Sequence, residues 1–112
     1  MASLSSRRDS PQNAIQQGLS LVPSSLTAVT SADSVIYQIT VSNVDSGAHT
    51  LLVQDQQATP GILVPTISIP ANTVIIMEFP EGILMKSGIK WQASAANDLW
   101  SEIYGFVANS GD

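Results

Sequence analysis

Between Ser34 and Asn43 the chain reads SVIYQITVSN, and no other run limits its folding choices so severely. β-Branched and aromatic residues crowd these ten positions, with no Gly or Pro to interrupt them. A period of two puts Val35, Tyr37, Ile39 and Val41 on one face and Ile36, Gln38, Thr40 and Ser42 on the other. A helix would need apolar residues at three- and four-residue steps, and no stretch of useful length supplies them. The alternation returns in HTLLVQD and in TVIIMEFP, where Val74, Ile76 and Glu78 alternate with Ile75, Met77 and Phe79. It returns again in IKWQASA, with Ile89, Trp91 and Ala93 inward, and in LWSEIYGFVA. Turn residues such as Asp45-Ser46-Gly47, Ala71-Asn72 and Ala96-Asn97-Asp98 separate the runs. About eight short strands punctuated every 8–12 residues predict an all-β chain, a single antiparallel β-sandwich of Ig-like or jelly-roll type.

The simplest connections are hairpins, HTLLVQD pairing back on SVIYQITVSN and LWSEIYGFVA on IKWQASA. Pro23, Pro65 and Pro70 cannot donate to a ladder, so SLVPSSLTAVTS and ILVPTISIP are expected at sheet edges. Pro80-Glu81-Gly82 reads as a corner, Ile83-Leu84-Met85 as a short buried piece and Lys86-Ser87-Gly88 as a tight turn. Tyr37 and Trp91 fall on apolar faces and are expected in the core. On the last strand Trp100, Tyr104 and Phe106 share a face with Glu102, while Leu99, Ile103 and Val107 share the other with Ser101 and Gly105. That strand is either covered on both sides or shows aromatics to a partner.

With 112 residues the chain makes one domain. Residues 1–17 are polar and rich in Ser and Gln, with too little apolar area to offset the entropy of ordering. They are expected as an extended or disordered N-terminal arm, ahead of a sandwich over residues 18–112. Leu4, Arg7, Arg8 and Ile15 are the arm's candidate anchors on a neighbour; Trp100 and Tyr104 are the candidate contacts of the sandwich.

Composition excludes several classes of function. The net charge of −5 and the single basic pair, Arg7-Arg8, offer no footprint for nucleic acid. Only 12% of residues are charged, so much of the surface is Ser, Thr, Asn, Gln and Ala, which desolvate cheaply under a partner. The absence of cysteine excludes disulfides, thiolate nucleophiles and Cys-based zinc sites. The first residues lack the apolar core of a secretory signal, and no apolar run approaches the ~18 residues of a membrane span. The chain is therefore expected to be made and assembled in a cytoplasm, away from membranes.

No catalytic constellation emerges. His49, the one histidine, sits beside a turn and is read as a solvated turn residue. Asp45 and a serine would complete a triad with it on paper, but no nucleophile elbow presents the serine. Asp33, Asp45, Asp55 and Asp98 lie in loops where a calcium ion could gather them. No two have calcium-loop spacing, and they are read as solvated turn carboxylates. Glu78 and Glu81 are separated by the corner. No catalytic residue, cofactor or metal is expected.

The segment IPANTVIIMEFPEGILMKSGIKWQASAANDLWSEIYGFV resembles a recurring pattern in small structural proteins of tailed bacteriophages. In these, a strand after I-P-A-(N/G) leads to an F/L-P corner, then a G-(I/L)-x-W-x-A-S strand and a closing hairpin. The resemblance implies a sandwich without catalytic residues, serving as a head decoration (cement) protein, a neck or tail component, or a fibre module. The expected function is a capsid decoration subunit, a homo-oligomer with a trimer favoured, bound to the major capsid protein or other virion proteins. The alternative is a receptor- or carbohydrate-binding module of a tail fibre or baseplate, stacking ligands on Trp100 and Tyr104.

Overall fold

The computed structural model describes Ala14, Ile15 and residues 18–107. Its strands are β1 (Ser20–Leu21), β2 (Thr27–Thr30), β3 (Ser34–Asn43), β4 (His49–Asp55), β5 (Ile62–Ile69), β6 (Thr73–Met85), β7 (Ile89–Ala93) and β8 (Leu99–Val107). They form two four-stranded sheets, sheet A in the order β1-β8-β3-β6 and sheet B in the order β2-β7-β4-β5. Every pairing is antiparallel.

The order follows from folding the chain double. Bent back at residues 56–61, it pairs β4 with β5, β3 with β6, β2 with β7 and β1 with β8. Rolling this long ribbon up brings β8 beside β3 and β7 beside β4. The result is a β-sandwich with jelly-roll strand order.

Both expected hairpins are therefore absent. β3 and β4 lie in different sheets, as do β7 and β8. The turns between them cross from one layer to the other. Asn43 secures the first crossing: it is buried, and its side-chain amide donates to Gly47 O at 2.9 Å and to Ile69 O, on sheet B, at 3.0 Å. Of the consecutive strands only β4 and β5 pair. The proline-bearing segments behave as expected, since β1, β2 and β5 are all edge strands.

The inward residues form one core between the sheets. Ile36, Ile39 and Val41 of β3 and Leu99 and Ile103 of β8 face Leu51 and Val53 of β4 and Ile89, Trp91 and Ala93 of β7. Each large aliphatic side chain so buried contributes roughly 1.5–3 kcal/mol. Ile15 joins this core, its N–H donating to Gly105 O at 3.0 Å, and Ala14 bridges Phe106. The glycine at 105 is required by β3 on the other side of β8, where any Cβ would collide with Val35 O at the register shift.

One irregularity redirects side chains. Between Ile36 and Gln38 the register of β3 shifts against both neighbours. Two steps on β3 match one on β8 and five on β6, so residues 79–82 bulge opposite Tyr37. The inward set thus runs Ile36, then Ile39 and Val41, and Tyr37 is not a core residue. The expected corner at Pro80-Glu81-Gly82 is this bulge, inside a continuous strand. Gly82 sits at φ +80°, and a Cβ there would lie 2.7 Å from Val35 Cγ1. Beyond it only Met85 is buried; Ile83 and Leu84 are exposed, contrary to the buried piece expected there.

Candidate functional site

The outer faces of the two sheets differ in kind. On sheet B the outward positions include Thr50 and Leu52 of β4, Lys90 and Gln92 of β7, and Ser68 of β5. This face is mostly polar, although Ile62 of β5, opposite Gln54, is 55% exposed on it. On sheet A four cross-strand rows run β8–β3–β6: Trp100–Ser42–Val74, Glu102–Thr40–Ile76, Tyr104–Gln38–Glu78 and Phe106–Val35–Leu84. Val74, Ile76, Leu84 and Tyr104 are each more than half exposed, at 61, 57, 56 and 56%. Leu21 extends the first row from the β1 side.

Tyr37, brought outward by the bulge, completes an aromatic triangle on this face. Its ring centroid lies 6.3 Å from both Tyr104 and Phe106, which are 5.8 Å from each other. The tilted and edge-on ring geometries are favourable for aromatic packing. Two open grooves flank Tyr104. One, of about 220 Å³, is lined by Ala14, Ile15 and Gly18 opposite residues 102–105. The other, of about 260 Å³, is lined by Tyr37, Gln38, Glu78, Pro80 and Tyr104. A wide apolar face of this sort, carrying few charges, is the ordinary signature of a contact surface.

Of the anchors expected from the sequence, Tyr104 stands exposed on this face and Trp100 lies on it half-buried, opposite Leu21. Ile15 faces the other way, into the core of its own sandwich. Leu4, Arg7 and Arg8 lie outside the described residues. Sequence reasoning missed Tyr37, Val74 and Ile76 as surface groups. A signal existed for β6: in TVIIM both parities are apolar, as they are in β8.

A second cluster forms where the β3–β4 and β7–β8 crossings meet. His49 Nε2 lies 2.8 Å from Asp45 Oδ2 and 3.2 Å from Asp98 Oδ2, and Nδ1 lies 3.2 Å from Ser94 Oγ. His49 is thus not a solvated turn residue, because its side chain is only 16% exposed and bridges both loops. The convergence of loop carboxylates is partial. Asp33 instead accepts from Ser87 N–H and Lys86 Nζ, and Asp55 from Gln57 and Gly61. The Asp45 carboxyl is held below the ordinary range, chiefly by its bond to His49 and next by the Ser46 N–H.

One oxygen each of Asp45 and Asp98 and one nitrogen of His49 lie within 4.8 Å of one another, a donor set that a divalent cation could use. The same atoms are at hydrogen-bond distance, so the imidazole already joins the two loops by itself. Ser94, His49 and Asp45 also form a relay in the order of a hydrolase triad. Ser94 Oγ, however, accepts Thr50 N–H at 2.9 Å, and Ser94 N–H donates to Thr50 O. That hydroxyl extends the β4–β7 ladder beyond Ala93. The cluster acts as a clamp between the two crossings.

No protein-family model, curated protein or solved structure matches this chain.

Proposed function

We propose that this protein is a non-enzymatic structural subunit of a virion, a decoration or cement protein that binds its neighbours through the outer face of sheet A. The observation that carries the reading is the contrast between the two outer faces: Val74, Ile76, Leu84, Tyr104 and Phe106 stand in solvent on one sheet, whereas the other is mostly polar. Apolar area of this kind costs free energy until it is covered, and coverage repeated by symmetry stabilises a shell. Two further points support it. The jelly-roll order recurs in viral coat domains, an analogy at the level of fold, and the segment from Ile69 to Val107 resembles phage structural proteins. On this reading the partners are copies of the chain, as a trimer, and the major capsid protein, with assembly in the host cytoplasm.

The test is association of the full-length chain, alone and with particles lacking it, followed by light scattering and co-sedimentation. Ile76→Lys and Tyr104→Lys, both at exposed positions, are expected to fold normally and to reduce association at least tenfold. A chain that stays monomeric and off the particle at high concentration would sink the proposal.

A lectin-like role is the second reading, favoured by Trp100 and Tyr104 sharing one face. It requires glycan binding that Trp100→Ala abolishes without unfolding the chain.

A further inference from the structure

Asp45 and Asp98 are brought together by the two layer crossings, and their backbones are pinned independently of His49. Asp45 N–H donates to Asn43 Oδ1 at 2.9 Å, and Asp45 O accepts Asn72 N–H at 3.2 Å. Asp98 O accepts Val44 N–H at 3.1 Å, which ties one crossing to the other. The fold thus holds two carboxylates against a single imidazole nitrogen, His49 Nε2, at 2.8 and 3.2 Å. A ring nitrogen carries at most one proton, so a proton satisfies one of these oxygens well and the other poorly. Two like charges this close also repel, and a neutral imidazole leaves both uncancelled. A divalent cation answers both needs.

We propose that Asp45, His49 and Asp98 bind a divalent transition-metal ion, Zn²⁺ in preference to Ca²⁺ or Mg²⁺, which locks the β3–β4 crossing to the β7–β8 crossing. The nitrogen decides the class of ion. Ca²⁺ and Mg²⁺ gather about six or more oxygen ligands, whereas an imidazole with two carboxylates suits Zn²⁺. The fourth tetrahedral position goes to water. An ion about 2.1 Å from each donor sets the donors roughly 3.4 Å apart, so Asp45 Oδ2 withdraws from Nε2 by about 0.6 Å and Asp98 Oδ2 by about 0.2 Å. The Asp45 side chain is 41% exposed, which gives it room to move and the ion a way in.

The other ring nitrogen is already placed for this role. Nδ1 lies 3.2 Å from Ser94 Oγ, which is not one of the three donors. A metal-bound imidazole gives its remaining N–H to an oxygen that fixes the ring. Ser94 Oγ has two lone pairs, and Thr50 N–H occupies one of them. Nδ1–H donates to the second, which leaves the Nε2 lone pair directed at the two carboxylates, where the ion sits. This site is independent of the proposed assembly role and stands or falls without it.

The experiment uses the full-length chain, free of any histidine tag. His49 is its only histidine, so the imidazole signals in nitrogen NMR belong to that ring alone. One equivalent of Zn²⁺ is expected to shift the Nε2 signal and to keep the proton on Nδ1. Calorimetric titration is expected to count one Zn²⁺ per chain, with Ca²⁺ and Mg²⁺ weaker by about 100-fold. At about a hundredfold excess over its dissociation constant, Zn²⁺ is expected to raise the melting temperature by roughly 10 °C, reversibly on chelation. Asp45→Asn/Asp98→Asn keeps the side-chain shapes and is expected to bind Zn²⁺ more weakly by about 100-fold, at the upper end of what loss of an outer partner alone would cost. Should that variant fold poorly, the NMR signals and the ion preference of the wild type decide the matter alone. Zn²⁺ that leaves the His49 signals unmoved, binds the folded double variant as tightly, or binds no better than Ca²⁺ would overturn the proposal.

Discussion

Asn43 shows how much one side chain decides. Buried at the end of β3, it donates to Gly47 O and Ile69 O while its Oδ1 accepts Asp45 N–H at 2.9 Å. Alanine would leave these backbone groups without their partner, and a buried unpaired group costs about 1–3 kcal/mol. Asn43→Ala is therefore expected to lower stability by about 2 kcal/mol or more, measurable by urea unfolding. The acidic residues add a pH dependence. Ser87 N–H and then Lys86 hold Asp33 low; His49 and then Ser46 hold Asp45 low. For Asp55, burial pushes upward, but bonds from the Gln57 side chain and from Gly61 and Gln57 N–H outweigh it. With folded values below unfolded ones, the folded state binds fewer protons, so this stability is complete above the ordinary carboxylate range. It is lost as pH falls through the folded values. Urea midpoints are expected to hold level from about pH 7 to 5 and to fall below about pH 4, less steeply in Asp45→Asn.

At the scale of the element, β6 and the bulge opposite Tyr37 control what sheet A presents. Residues 79–82 lie opposite the single residue Tyr37 of β3, and Gly82 makes this possible with its positive φ and its missing Cβ. Gly82→Ala combines an unfavourable backbone region with crowding against Val35 and Tyr37, so a loss of about 1–3 kcal/mol is expected. In a chain of this size about 1 kcal/mol is a fall in melting temperature of roughly 4 °C, readable by circular dichroism. The sequence announced the corner through Pro80 and Gly82, but not that the strand continues through it. Nor did strict alternation warn that Tyr37 would swing outward, because a bulge resets parity and is defined only by the strands alongside.

Across the whole molecule, the pairing of β1 with β8 and β2 with β7 joins distant parts of the chain. Loop-closure entropy must be overcome before such pairs form, so refolding is expected on the millisecond-to-second scale, as for other all-β domains. Stopped-flow tryptophan fluorescence will follow it, since Trp91 passes from solvent to a site 3% exposed. Ile39→Ala, which opens the centre of this core, is expected to cost about 2–5 kcal/mol and chiefly to hasten unfolding.

Much of this architecture was open to the reader of the primary chain. Period two, turn residues at short intervals and prolines in two segments are local properties, and they determined that the chain is all-β, about how many strands it has, and that β1, β2 and β5 lie at edges, though not that β6 does. Tertiary structure alone decided which strands pair. Ser34–Asn43 and His49–Asp55 satisfy every local rule for a hairpin, yet β3 pairs with β6 and β8, both longer than β4, while β4 pairs with β5 and β7, and the turn between them spans two layers instead. The outer face of sheet A arises in the same way. Alternation marks two faces on a strand without saying which one is covered; that is settled by the layer opposite, which buries Ile39 and leaves Ile76 in solvent.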